Sequence, residues 1–324
     1  MILDMNKFYW IITFFVIFIV IALAISPEVY LVACSKGILV WATVVLPAIF
    51  PFLFFTKILT DLGVMNVLAT KFTIFTSIFK TPPIGAFAFL TSILSGYPVG
   101  AKVVSDLYEN GSITKEDAFK ITTFTSNSGP MFILGSVGIG LLLSRRLGLI
   151  ILFSHIIGAI LNGILYRNHK EKPTNIRFST QSINNISFQP AELMWNSIIS
   201  ILIIGGYICI FFVLIEMLNY LNILPPIATF FSSITGINSE IFVAIFNGLF
   251  EITHGCIDIA NLQLTEFTST ILCCGLITFG GLSTMMQAIV FLQKFQMRLG
   301  FFLKQKLTHT IFSILFCIIF LLIF

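Results

Sequence analysis

The sequence predicts an all-α polytopic membrane protein, and three observations carry that expectation. Hydrophobic residues make up 57% of the 324-residue chain and charged residues only 10%, where a soluble domain holds roughly 25% charged residues. Several apolar runs reach the ~20 residues a helix needs to cross a bilayer. Four apolar stretches are interrupted midway by clusters of Gly, Pro, Ser, Thr and Asn, which favour unwound backbone.

The first apolar run covers residues 8–26. Ala22, Leu23 and Ala24 resemble a signal cleavage site, but the run is longer than an h-region of about 7–15 residues, which favours a retained helix. Uninterrupted runs follow at 37–59, 147–166, 196–220 and 307–324. Pro47 and Pro51 predict a kink in the second run. The stretches 119–143 and 267–295 are long enough to cross but interrupted, and 84–104 and 241–260 break in the middle. Residues 167–190 form a polar, basic linker. The chain then divides into N-terminal helices with an interfacial segment (1–83), a first repeat (84–166), a cytoplasmic linker (167–190), a second repeat (191–298) and a C-terminal transmembrane helix (299–324).

Charge sets the orientation. With the amino terminus inside and both broken hairpins re-entering without crossing, only Lys36, Arg145 and Arg146 of the 18 Lys and Arg residues fall outside. That is the skew the positive-inside rule predicts. Hairpins that crossed would weaken it.

The two halves carry the same order of events. In the first, 84–94 breaks at Ser95, Gly96, Tyr97, Pro98, Val99 and Gly100, and the next helix breaks at Ser126, Asn127, Ser128, Gly129 and Pro130. In the second, 241–250 breaks at Glu251, Ile252, Thr253, His254 and Gly255, and the next helix breaks at Phe279, Gly280, Gly281, Leu282 and Ser283. The predicted architecture is an inverted repeat with two re-entrant hairpins and two broken transmembrane helices. Secondary transporters with inverted repeats place their site where such breaks meet. Unwound peptide groups persist in a membrane only when buried in protein or lining an aqueous cavity, and resumed helix starts suit an anionic group.

Each candidate residue has a plainer reading beside the functional one. Glu251, ionisable within an apolar hairpin, is a functional hypothesis by default. It serves equally well as a cap for its own helix start. It would also serve to carry a proton. Asn127, Ser128 and Ser283 are caps or solute contacts in equal measure. Tyr97 and Phe279 have rings that would stack on a planar solute, though most aromatic residues here are core or lipid-facing. Ser95, Gly96, Pro98, Gly100, Gly129, Thr253 and Gly280 complete the candidate binding set as the backbone of the breaks. Lys102 is read as reaching the cytoplasmic surface, Glu216 as sitting near the outer end of its helix, and His254 as a hairpin-tip residue.

Other function classes find little support. The net charge of +4 contains no concentrated basic face, which argues against nucleic acid. The six cysteines show no C-x-x-C and read as small apolar residues. The four histidines lack ligand spacing, so no metal or other cofactor is expected. There is no H-E-x-x-H, P-loop or G-x-S-x-G and no carboxylate pair, so an enzyme is not expected. The glycines at 135, 138 and 140 fit close helix packing.

The run Ser95, Gly96, Tyr97, Pro98, Val99, Gly100, Ala101, Lys102 resembles the signature of the YlbJ-type sporulation integral membrane proteins, within the nucleoside-recognition or Gate-domain group. Residues 126–130 with Gly135, Ser136, Val137 and Gly138 are similar to that family's next motif, residues 248–255 to its second hairpin, and residues 46–52 to its early Pro-containing helix. The resemblance spans about residues 37–298. It implies a fold similar to concentrative nucleoside transporters, and a role in passing dipicolinic acid, a small aromatic dicarboxylate, from the mother cell across the outer forespore membrane. The chain is shorter than many relatives of that family. The expected partners are therefore an anionic small-molecule solute and the lipid bilayer of a spore-forming bacterium, in its outer forespore or cell membrane. A coupling proton or sodium ion and a homo-oligomeric assembly stay open. So do two alternatives: a nucleoside carrier, and a non-transporting membrane scaffold for sporulation.

Overall fold

The computed structural model describes residues 2–62, 71, 73–171 and 190–324. Part of the expected interfacial segment (63–70 and 72) and most of the expected linker (172–189) lie outside the described residues. Among the described residues the fold is all helical, and five helices are long and apolar enough to cross a membrane: Pro27–Val45, Arg145–Tyr166, Pro190–Tyr220, Glu266–Phe295 and Leu299–Ile323.

In chain order, α1 (Ile2–Ile25) leads into α2 (Pro27–Val40) and, through a π-wound turn Trp41–Val45, into α3 (Leu46–Asp61). The second expected span, 37–59, thus begins earlier, and Lys36 lies within α2 rather than in an external loop. Proline explains the π turn. Pro47 has no N–H to give its preceding turn, and widening the helix just upstream relieves the missing bond and the ring clash. The Leu46 N–H reaches back to the Trp41 carbonyl to close that wide turn.

A short helix α4 (Thr73–Phe79) precedes the first interrupted pair, α5 (Ile84–Ser95) and α6 (Val99–Glu109). Then α7 (Lys115–Thr125) stops at Ser126 and the chain resumes at the π-wound segment Met131–Leu141. Thr114 and Asp117 form a reciprocal capping box at the start of α7, which satisfies two otherwise orphaned amides. α8 (Arg145–Tyr166) closes the first half.

The second half begins with the long α9 (Pro190–Tyr220), followed by α10 (Leu224–Thr235) and the second pair, α11 (Ser239–Phe250) and α12 (Ile252–Asn261). α13 (Glu266–Phe279) is interrupted at Gly280, where φ is +93°, and resumes as α14 (Gly281–Leu292). The last helix, α15 (Leu299–Ile323), starts earlier than the expected 307. This places Lys304, Gln305 and Lys306 in the helix.

Without a hydrophobic drive between helices in lipid, close packing relies on small residues. Gly138 and Gly148 meet so closely that a Cβ on Gly138 would lie 2.6 Å from the Gly148 Cα. The six cysteines are free thiols, four of them buried.

Polar contacts gather at the two ends of the bundle. At one end Glu109 pairs with Lys294, Lys115 with Gln296, Glu171 with Arg298, Lys80 with Asn168 and Lys57 with Ser200. At the other, Arg146 meets Glu266 and the Phe324 carbonyl, and Ser26 meets Tyr220.

Candidate functional site

The four interruptions converge on one cavity. Its walls are Ser95, Gly96 and Tyr97 from the first pair, Ser128 and Gly129 from the first broken helix, Glu251, Ile252 and Thr253 from the second pair, and Ser283, Thr284 and Gln287 after the second break. Val45, Ile49, Phe132, Ile204 and Ile208 supply the apolar side. The space free of protein atoms is about 500 Å³ to its open side, but only about 50 Å³ admits the centre of a water-sized sphere. The cavity therefore has room for only a few waters, and a ring-sized solute requires the helices around it to part.

The first pair's tip touches the first broken helix backbone to backbone. Gly96 has φ +73°, and a Cβ there would lie 2.5 Å from the Gly129 amide nitrogen. A Cβ on Gly100 would lie 2.0 Å from the Thr125 carbonyl oxygen. Gly100 thus serves the contact between α6 and α7 and does not reach the cavity. Asn127, 1% exposed, donates from Nδ2 to the Ser92 hydroxyl at 2.9 Å and to the Phe124 carbonyl at 2.8 Å. It braces the break from behind. Pro98 caps α6 and is not among the cavity residues.

The expected anion-holding start at Ser128 is modified by a residue that sequence reasoning set aside. The Ser128 amide donates to His155 Nε2 at 3.0 Å, and His155 Nδ1 lies 2.9 Å from the Thr278 hydroxyl. An Nε2 that accepts carries no proton, so this imidazole is neutral with its hydrogen on Nδ1. One histidine on α8 thereby ties the first break to the last turn of α13. His309 lies beside it, ring centroids 4.8 Å apart, and contacts the His155 carbonyl at 3.0 Å.

In the second half Glu251, 3% exposed, takes its capping reading. It is the N-cap of α12, accepting from the His254 amide at 2.8 Å and from the Thr253 hydroxyl at 3.1 Å. It also lines the cavity. Ser283 faces the same space with a hydroxyl that has no hydrogen-bond partner among the described residues. Gly280 supplies the left-handed turn between α13 and α14 without lining the cavity. Phe279 packs instead against the apolar cluster around Phe89, Phe119 and Phe124, so it does not present its ring to a solute. His254 stacks on Phe212 at 4.5 Å, and Lys102 pairs with Asp106 at the surface.

The charge pattern counts Lys306 among the basic residues of the inner side, and the structure places it inside the bundle on α15, 1% exposed. Its Nζ donates to the Tyr97 hydroxyl and, at 3.2 Å, to the Ser126 carbonyl. It also lies 4.5 Å from the Tyr97 ring centroid, within cation–π range. Among the described residues no carboxylate forms an ion pair with it. A signal for it existed. Gln305, Lys306, His309 and Ser313 recur at helical spacing through an apolar run, and an ionisable residue there is a functional pointer. Starting the helix at 307 hid it.

Among the described residues no cluster of three or more His, Cys, Asp or Glu side chains is placed to hold a metal ion. A second, open cavity, with about 1080 Å³ free of protein atoms, lies between α1, α2 and α9 and is almost wholly apolar, with Ile19, Leu23, Leu31, Ile210 and Leu214 in its walls. Tyr30, Cys34 and Cys209 are the few residues in its wall with a polar atom, against the several convergent groups that orient a solute.

Comparison with known proteins agrees with the family resemblance seen in the motifs. Residues 42–128 match the family model described as Gate: Nucleoside recognition. The chain is also 22% identical over 326 residues to the sporulation integral membrane protein YlbJ of Bacillus subtilis (strain 168), covering 93% of this chain and 80% of that protein. No solved structure matches the chain. The chain is a multi-pass helical membrane protein that is similar to YlbJ and carries a Gate segment.

Proposed function

We propose that this protein is a secondary transporter or facilitator for a small anionic aromatic solute, working by alternating access during sporulation. The observation that carries the reading is the meeting of four helix interruptions at one polar-walled cavity. Broken helices leave backbone groups that are tolerated at membrane depth only around such a cavity, and carriers built this way bind at that place.

The inverted arrangement belongs to this reading. Glu109, at the far end of the first pair, lies at the same end of the bundle as Lys294, whereas Arg146 and Glu266 gather at the opposite end with the outer segments. In the proposed topology the first pair re-enters from the cytoplasm and the second from outside. The cavity then lies between them, reachable alternately from either face.

Dipicolinic acid is the solute the family resemblance brings, moved from mother cell to forespore across the outer forespore membrane. Its carboxylates would meet the polar wall of the cavity, which includes the Ser283 hydroxyl. Its flat ring would lie against Tyr97. A nucleoside is the second reading, favoured by the description of the matched family. In neither reading is the protein an enzyme.

The test is uptake of labelled dipicolinic acid into proteoliposomes of the purified protein, with uridine as competitor. Saturable uptake insensitive to uridine supports the dicarboxylate reading. Inhibition by uridine replaces it with the nucleoside carrier. Absence of flux for both, in correctly inserted protein, overturns the transport reading in favour of a scaffold.

A further inference from the structure

The breaks leave two helix C-terminal ends inside the bundle, and both converge on the same side chain. α7 ends at Ser126, whose carbonyl accepts from Lys306 Nζ at 3.2 Å. α13 ends at Phe279, and the carbonyls of Ile277 and Thr278 in its last turn lie 3.4 and 3.2 Å from the Tyr97 hydroxyl. That hydroxyl accepts from Lys306 in turn. One ammonium group therefore bridges the ends of both broken helices, directly at the first and through a tyrosine hydroxyl at the second.

Helix C-termini carry about half a negative charge. In carriers with discontinuous helices, such ends and the unwound carbonyls beside them coordinate the coupling sodium ion or proton. The oxygen set here has that character: a free carbonyl, a hydroxyl and two further carbonyls behind it. The groups nearest the ammonium add no negative charge. His155 is neutral by its hydrogen bonds, His309 contacts a carbonyl, and among the described residues no carboxylate pairs with the lysine. The oxygens that face Lys306 Nζ belong to the Tyr97 hydroxyl and to the end of α7, with the end of α13 behind the hydroxyl.

We propose that Lys306 is a tethered cation that occupies, between the C-terminal ends of α7 and α13, the place a free sodium ion would hold in a carrier of this design. The consequence for coupling rests on the transport reading: uptake needs no sodium. The occupancy itself does not rest on it.

The experiment is thermal unfolding of the full-length protein in detergent micelles, in sodium, potassium or choline chloride at equal ionic strength. Wild type is expected to melt at the same temperature in all three. Lys306→Met, nearly isosteric and uncharged, is expected to melt several degrees lower in each salt. Lys306→Ala, which opens space between the oxygens, is expected to recover part of its loss in sodium alone. A saturable sodium stabilisation of wild type overturns the proposal, and that arm needs no variant to fold. So does Lys306→Met melting like wild type. In proteoliposomes, wild-type uptake should be equal with and without sodium, and Lys306→Met should reduce it roughly tenfold or more, the size expected for losing a hydrogen-bonded charge. Absence of wild-type uptake rejects the transport reading while the salt series still decides the occupancy.

Discussion

The two interrupted pairs reach the same cavity by different means. The tip of the first is packed against its neighbour with no spare room: Gly96 lies on Gly129 and Gly100 on Thr125, backbone against backbone. The second pair folds onto itself, a Cβ on Gly255 lying 2.2 Å from the Gly248 Cα, and its tip is closed by a carboxylate, Glu251, that caps its own helix. Both are closely packed by glycine, but the first tip rests on a neighbouring helix while the second packs within its own pair and adds a side-chain cap. Shape tolerates no substitution. A side-chain cap leaves a chemical group facing the cavity that substitution can alter without dismantling the fold.

That contrast predicts a graded series. The largest effect is expected at Gly100→Ala. The new methyl would overlap the Thr125 carbonyl, with no flexible side chain to give way, and overpacking of this kind costs about 1–3 kcal/mol or more. The yield of folded protein and its melting temperature should both fall sharply; a variant that melts like wild type would mean that α6 and α7 separate easily.

Glu251→Gln comes next and should divide stability from function. The amide oxygen can still accept from the His254 amide, so unfolding should shift by no more than the ~0.5–2 kcal/mol of a weakened cap. Uptake, however, should be abolished or uncoupled. Undiminished uptake across a pH series would reduce Glu251 to a cap.

Ser283→Ala removes a buried hydroxyl that has no partner among the described residues. Its stability should be unchanged or slightly raised, because an unsatisfied group is being lost. Competition between labelled and unlabelled solute should show weaker binding if the hydroxyl faces the solute. A marked loss of stability would point instead to a bound water at that site.

The smallest effect belongs to Gly135→Ala, where a Cβ would meet nothing within 4 Å. Melting temperature and uptake should match wild type. A strong defect would mean that this face packs against something outside the chain, such as a second copy.

How far these features could be read in advance depended on how local their causes were. The helix breaks around residues 96, 127, 251 and 280 were legible because glycine, proline and small polar residues write an interruption into the local backbone. The first half's motif was readable for the same reason. Tyr97, Ser128, Glu251, Thr253 and Ser283 were legible as candidates because they stand at those breaks, and the fold brings them to one wall. Gly100, Asn127, Pro98, Gly280 and Phe279 stand there too, yet they serve packing, bracing or turning, and nothing in their order along the chain separates the two groups.

The sequence by itself determined the membrane class, most of the long apolar helices and the four places where helices break, since each follows from hydropathy over ~20 residues or from the backbone preferences of a few neighbours. Only the tertiary structure decided which side chains meet. His155 and Lys306 lie far from the breaks in sequence and become part of the junction because α8 and α15 run past it. A buried amine and a buried imidazole take their roles from the carbonyls and amides that surround them, and those come from other helices.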